Sequence, residues 1–216
     1  MTEIALPAAL TGQELIAAGS PPDEARLAVV CIHGRGASAE DIIGLADAFD
    51  LDRVFYVAPQ APGGSWYPAR FTEPLESNEP YLTRALQRID DILAALRQSG
   101  FFSDRLVLAG FSQGACLSLE YLARNAGSVA AVLGFSGGLI GPDASQRPET
   151  ESLAGTKVFM GCSQADPFIP ALRVMETERH LVDRGAEVSV KFYPEPGHTI
   201  NADEIARAVA ILEAVG

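Results

Sequence analysis

At 216 residues and 48% hydrophobic content, the chain has the length of one domain and enough apolar material for a substantial core, which excludes a disordered polypeptide. Its formal charge of -12, from 16 basic and 28 acidic side chains, argues against nucleic acid as a partner, and no Lys/Arg cluster overrides that average. The first twenty residues carry no basic, apolar leader pattern and no uncharged run approaches the ~18 residues a bilayer span needs, so a soluble, cytoplasmic protein without integral membrane association is expected.

Residues 1–26 are rich in Ala, Pro and Gly and show no clear period, so this N-terminal segment of a single domain covering 1–216 is read either as a short edge element or as chain that wraps the surface. Leu27 to Ile32 is an apolar run of strand length ending in the glycine turn His33-Gly-Arg-Gly36. Ser38-Ala-Glu-Asp41 matches a capping box and predicts a helix to about Phe49, followed by a buried strand from Arg53 to Val57. Ala58 to Ser77 is a breaker-rich loop holding the single tryptophan, Trp66, with Tyr67 and Phe71. Asn78-Glu-Pro80 is expected to cap a long helix whose apolar face is Leu82, Ala85, Ile89, Leu93 and Leu96, with Gly100 as its stop. Strands are then expected from Arg105, at Val129 to Phe135, at Lys157 to Cys162 and over the alternating Val188, Val190 and Phe192. Helices are expected at Ala115 to Arg124, at about Pro170 to Asp183, and around Ile205, Ala208, Val209 and Leu212. This alternation predicts an α/β fold, a mostly parallel sheet with helices on both faces and ligands at the carboxyl ends of its strands.

One stretch concentrates chemistry at that edge. Gly110-Phe-Ser112-Gln-Gly114 follows an apolar run and opens a helical pattern, so Ser112 would stand on a strained strand-to-helix turn whose glycines leave room for close packing. The backbone N–H of Gln113, at the helix start, has no intrahelical partner and suits an oxyanion. A serine hydroxyl needs an imidazole to take its proton and a carboxylate to orient that imidazole. His198, in the turn Glu195-Pro-Gly-His198, is the expected base, and Asp166, in the loop after the Lys157 to Cys162 strand, the expected acid. The order Ser, Asp, His is the one that follows a nucleophile elbow. His33 reads as a loop brace and His180 as a solvated helix-face residue. Gly134-Phe-Ser136-Gly-Gly138 repeats the motif, but the glycines and proline after Ser136 cannot build the required helix, so Ser136 reads as a turn or pocket-wall residue. The second oxyanion donor is expected from the backbone N–H of Arg35. Trp66, Phe71, Leu139 and Phe168 are the expected pocket walls. Cys31, Cys116 and Cys162 sit in apolar contexts without metal-ligand spacing and are expected to be free buried thiols.

Ile32-His-Gly-Arg-Gly36, Ala58-Pro-Gln60, Gly110-Phe-Ser-Gln-Gly114, Asp166-Pro-Phe-Ile-Pro170 and Gly197-His198, in this order and spacing, resemble the phospholipase/carboxylesterase family of α/β-hydrolases, with its acyl-protein thioesterases and small bacterial carboxylesterases. The resemblance spans about residues 27–212. It implies an α/β-hydrolase fold, a Ser112–His198–Asp166 triad, and an oxyanion hole of the Arg35 and Gln113 amides. It further implies a shallow acyl site, no metal or organic cofactor, and frequent dimers. Arg35 departs from the leucine usual in better-known members and would favour a negatively charged acyl or leaving group, while Trp66-Tyr-Pro-Ala-Arg70-Phe looks more like the bacterial esterase branch. The expected activity is hydrolysis of carboxylic esters with small to medium acyl chains. The alternatives are a lysophospholipase or acyl-protein thioesterase, and a non-catalytic module binding small molecules; the complete triad disfavours the last.

Overall fold

The computed structural model describes residues 6–11, 14–143 and 152–216. Among them, β1 (Leu15–Gly19), β2 (Leu27–Ile32), β3 (Val54–Pro59), β4 (Leu106–Phe111), β5 (Ala131–Phe135), β6 (Lys157–Ser163) and β7 (Glu187–Tyr193) form one sheet in the order β1-β3-β2-β4-β5-β6-β7. β1 runs antiparallel to β3, and every other pairing is parallel. The N-terminal edge segment thus supplies an edge strand. The inner strands are continuous apolar runs because helices cover both of their faces.

The alternation within β2 shows how the two cores divide. Ala28, Val30 and Ile32 pack with α3 (Tyr81–Gln98), α4 (Gln113–Arg124) and α5 (Ala171–Asp183), whereas Leu27, Val29 and Cys31 face α1 (Ala39–Ile42), α2 (Leu45–Phe49) and α6 (Ala202–Glu213). β7 is an outer strand, half-buried on alternate residues, and its sequence alternates accordingly.

Two helix expectations need correction. The helix expected to run to Phe49 starts on its Ser38–Asp41 capping box but breaks at Ile43 and Gly44 into α1 and α2; glycine stabilises a helix interior poorly, and Gly44 instead becomes the first residue before α2. Asn78 does not cap α3. It is fully buried, accepts from the Ala69 amide (2.8 Å) and donates to the Arg70 carbonyl (3.2 Å), so its side chain fastens the preceding loop. Glu79 takes the capping contact by accepting from the Thr83 amide at 3.1 Å.

Candidate active site

The glycines around Ser112 are explained by contact. A Cβ on Gly110 would overlap the Gly114 carbonyl, and one on Gly114 would overlap the Ile32 and His33 carbonyls, so α4 could not start this close to β2 and β4 with any other residue. The turn forces Ser112 to φ 55° and ψ -115°, outside the helical and extended regions. The strained backbone is held by the Ser112 amide donating to the Phe135 carbonyl at 2.9 Å and the Cys116 amide donating to the Ser112 carbonyl at 3.0 Å.

Three side chains from separate strand ends meet there. His198 Nε2 lies 2.8 Å from Ser112 Oγ, and His198 Nδ1 lies 2.7 Å from Asp166 Oδ2. The imidazole sits against Phe111, with ring centroids 4.8 Å apart, and makes an edge-to-face contact with Phe168 at a centroid separation of 4.9 Å. Asp166's side chain is fully buried and His198's is 15% exposed. Burial alone would raise the Asp166 carboxyl, but the bond from His198 and the amides of Phe168 (2.8 Å) and Ile169 (3.0 Å) on Oδ1 outweigh it and hold the group below its ordinary value. An ionised Asp166 accepts from a protonated Nδ1, which leaves Nε2 free to accept the serine proton.

The loop after β2 completes this edge. Among the described residues the amides of Arg35 and Gln113 donate no hydrogen bond, and the Gln113 amide opens α4, a helix start where negative charge is favoured. His33 braces that loop: the Ala61 amide donates to its Nε2 at 3.0 Å, so the ring proton is on Nδ1 and is donated to the Gly34 carbonyl at 2.7 Å. Burial pushes the His33 pKa down and keeps the ring neutral.

A cavity of about 900 Å³ opens beside Ser112, lined by Tyr67, Arg70, Phe71, Cys116, Phe168 and Ile169 among others. Phe71 and Phe168 therefore reach the wall, while Trp66 and Leu139 do not. Trp66 is buried behind it, donating from Nε1 to the His33 carbonyl at 2.8 Å. Leu139 is fully buried because its segment is tied to α5, its amide donating to Thr177 Oγ1 at 2.9 Å. Sequence reasoning missed the Gln113 side chain, which accepts from the Trp66 amide (2.9 Å) and donates to the Tyr67 carbonyl (2.8 Å), fixing the cavity wall to the residue beside Ser112. It also missed Phe111, which the alternation of β4 places beside His198.

Ser136 shares the unusual backbone, with φ 52°, but is 1% exposed and stays off the cavity wall. Its motif has a packing reason. A Cβ on Gly137 would collide with Ala115 at the start of α4, so these glycines let the chain after β5 press against that helix. The three cysteines are free and buried, each thiol raised to about 12 by burial. His180, expected on a solvated face, is half-buried.

Behind the loop bearing His198, α6 begins with a second capping box. Glu204 Oε2 accepts from the Asn201 amide at 2.8 Å and Asn201 Oδ1 accepts from the Glu204 amide at 3.0 Å. Glu204 is 1% exposed, and burial raises its pKa from 4.5 to about 7. A raised carboxyl leaves stability complete below about 4.5 and lost as pH climbs through about 7. Glu204→Gln keeps the acceptor without the charge, so its thermal midpoint should vary less between about pH 5 and pH 8 than the parent's, the variant gaining on the order of 2 kcal/mol at the alkaline end. Parallel melting curves for the two proteins would refute this.

Among the described residues no helix is long and apolar enough to cross a membrane. A family model described as Phospholipase/Carboxylesterase matches residues 13–215. The fold superposes on a phospholipase/carboxylesterase from Dyadobacter fermentans with a TM-score of 0.88 and 40% identity, over 93% of this chain and 97% of that one. Esterase PE8 gives a TM-score of 0.79 and 25% identity over 93% and 97% of the two chains. Among curated proteins, acyl-protein thioesterase 1 of Gibberella zeae is 26% identical over 85% of this chain and 88% of its own. With an α/β-hydrolase sheet and a match over nearly its whole length, the chain belongs to the phospholipase/carboxylesterase family of ester and thioester hydrolases.

Proposed function

We propose that this protein is a serine esterase that hydrolyses carboxylic esters of small to medium acyl chain through an acyl-enzyme. The observation that carries the reading is the unbroken hydrogen-bonded chain from Ser112 Oγ through His198 to the buried Asp166, at the wall of an open cavity. In the proposed sequence Ser112 Oγ attacks the ester carbonyl as His198 Nε2 takes its proton, and Asp166 stabilises the imidazolium. The amides of Arg35 and Gln113 donate to the oxyanion, and His198 then returns the proton to the departing alcohol. Water, activated by the same imidazole, releases the acid.

The preference for shorter acyl chains rests on the cavity lining, where Arg35, Arg70, Thr72 and Gln113 interrupt the apolar surface. A second reading, thioester or lysophospholipid hydrolysis, is favoured by the acyl-protein thioesterases among the relatives. Turnover of p-nitrophenyl acetate, butyrate, octanoate and palmitate, with a long-chain acyl thioester alongside, separates the two. Short esters should be preferred, and a fluorophosphonate probe should label Ser112 in wild type and in Ser136→Ala alike. A preference for palmitate or the thioester would favour the second reading. Silence on every substrate, with Ser112 unlabelled, would overturn both.

A further inference from the structure

The cavity beside Ser112 gathers positive charge in a chain that is acidic elsewhere. The chain carries 16 basic against 28 acidic side chains, yet the cavity lining contains two arginines, Arg35 and Arg70, and a single carboxylate, Asp166. That carboxylate is fully buried and engaged by His198, so it does not neutralise the arginines. Both arginines come from loops after β2 and β3, which lie on one side of β4 in the sheet, whereas Asp166 to Pro170 follow β6 on the other. The lining is therefore cationic on one flank of Ser112 and mostly apolar on the other.

The two guanidinium groups are held differently. Arg35 donates to the carbonyls of Pro68 (2.8 Å) and Ala69 (2.7 Å) and lies 5.8 Å from the Tyr67 ring centre, neutral partners that fix its position, and no described residue forms an ion pair with it. Arg70 is exposed, and among the described residues its side chain makes no hydrogen bond and no ion pair. Its backbone is nonetheless fastened, because the carbonyl of Arg70 and the amide of Ala69 are both held by the buried Asn78. A buried asparagine thus fixes the backbone beneath a cation that no described residue pairs, at the edge of the site.

Resting on the esterase reading above, we propose that the substrate is an ester that also carries a free carboxylate, seated against Arg35 and Arg70 while its scissile carbonyl meets Ser112. The planar fork of a guanidinium matches a carboxylate with two parallel N–H donors, which a solvated neutral group does not reward. A cleft with low-dielectric walls also focuses the field of such cations, drawing an anionic ester towards a protein whose overall charge would repel it.

The test compares matched pairs on the full chain. Mono-p-nitrophenyl adipate and p-nitrophenyl hexanoate differ by a carboxylate in the acyl half; 4-carboxyphenyl butyrate and its methyl benzoate analogue differ by one in the alcohol half. The readout is the ratio of kcat/KM for the charged over the neutral member, in wild type, Arg70→Gln and Arg70→Glu. For at least one pair the ratio should fall about fivefold in Arg70→Gln and further in Arg70→Glu, mainly through KM, and it should shrink in wild type as salt is added. The pair that responds tells which half of the ester carries the charge. If neutral esters turn over but the ratios are the same in all three proteins, the carboxylate subsite is wrong and the esterase reading stands. If no ester of either pair is hydrolysed and the fluorophosphonate leaves Ser112 unlabelled, the esterase reading fails and this inference with it.

Discussion

Replacing Ser112 with alanine is expected to lower kcat for p-nitrophenyl butyrate by ~10⁴–10⁶-fold and to abolish fluorophosphonate labelling, while the far-ultraviolet circular dichroism and thermal midpoint stay close to wild type. The size of the loss follows from the proposed mechanism, in which the hydroxyl is the bond-forming group and nothing else on the cavity wall replaces it. Cys116 lines the cavity too, but burial raises its thiol to about 12, so it holds almost no thiolate at neutral pH. The fold should survive because alanine meets the same positive φ that serine already tolerates, and the amide and carbonyl bonds of residue 112 are retained. A variant keeping more than about a hundredth of wild-type turnover would remove Ser112 from the nucleophile's role.

Asp166→Asn should cost ~10⁴-fold in kcat with little change in KM, a loss that comes from the proton's position. Asparagine keeps an oxygen for the amides of Phe168 and Ile169, so the loop geometry is preserved. Its amide nitrogen, however, faces His198 Nδ1 as a donor, which moves the imidazole proton to Nε2, where it meets Ser112 Oγ as a donor. The same substitution has a signature in stability. The Asp166 carboxyl titrates below its ordinary 3.8 in the folded chain, so it contributes stability above about that pH and loses it as pH falls further. The stability gap between wild type and Asp166→Asn should therefore be full at neutral pH and close in strong acid. A gap independent of pH, or turnover within tenfold of wild type, would contradict the role given to Asp166.

What could be read from the chain beforehand was whatever short-range sterics dictate. Gly110 and Gly114 flank the elbow because a Cβ at either has nowhere to go, and such constraints leave glycines at fixed spacing. The strands of the inner sheet were visible as apolar runs, with Asp166 as a polar residue just after one of them, and His198 as one after the alternating outer strand. Long-range partners were not legible. Nothing local distinguishes an asparagine that caps a helix from Asn78, which reaches back to Ala69 and Arg70, so the capping reading was natural and wrong. Trp66 and Leu139 read as walls because large apolar residues in loops often are. Their burial is decided by the His33 carbonyl and Thr177, which lie far away in sequence. The Gln113 side chain was invisible for the same reason, since its partners lie more than forty residues upstream.

That glutamine has a consequence for how substrates are told apart. Its amide group is clasped between the backbones of Trp66 and Tyr67, while its own backbone begins the helix that presents Ser112. Two hydrogen bonds thus tie the cavity wall to the start of the helix that follows Ser112, so an outward swing of the wall would have to break both. On the esterase reading, discrimination on this flank would then rest on the shape and charge of the side chains already in place rather than on closure around a guest. Exchanging side chains along residues 67–72 should therefore shift substrate preference while the Ser112–His198 hydrogen bond stays in place.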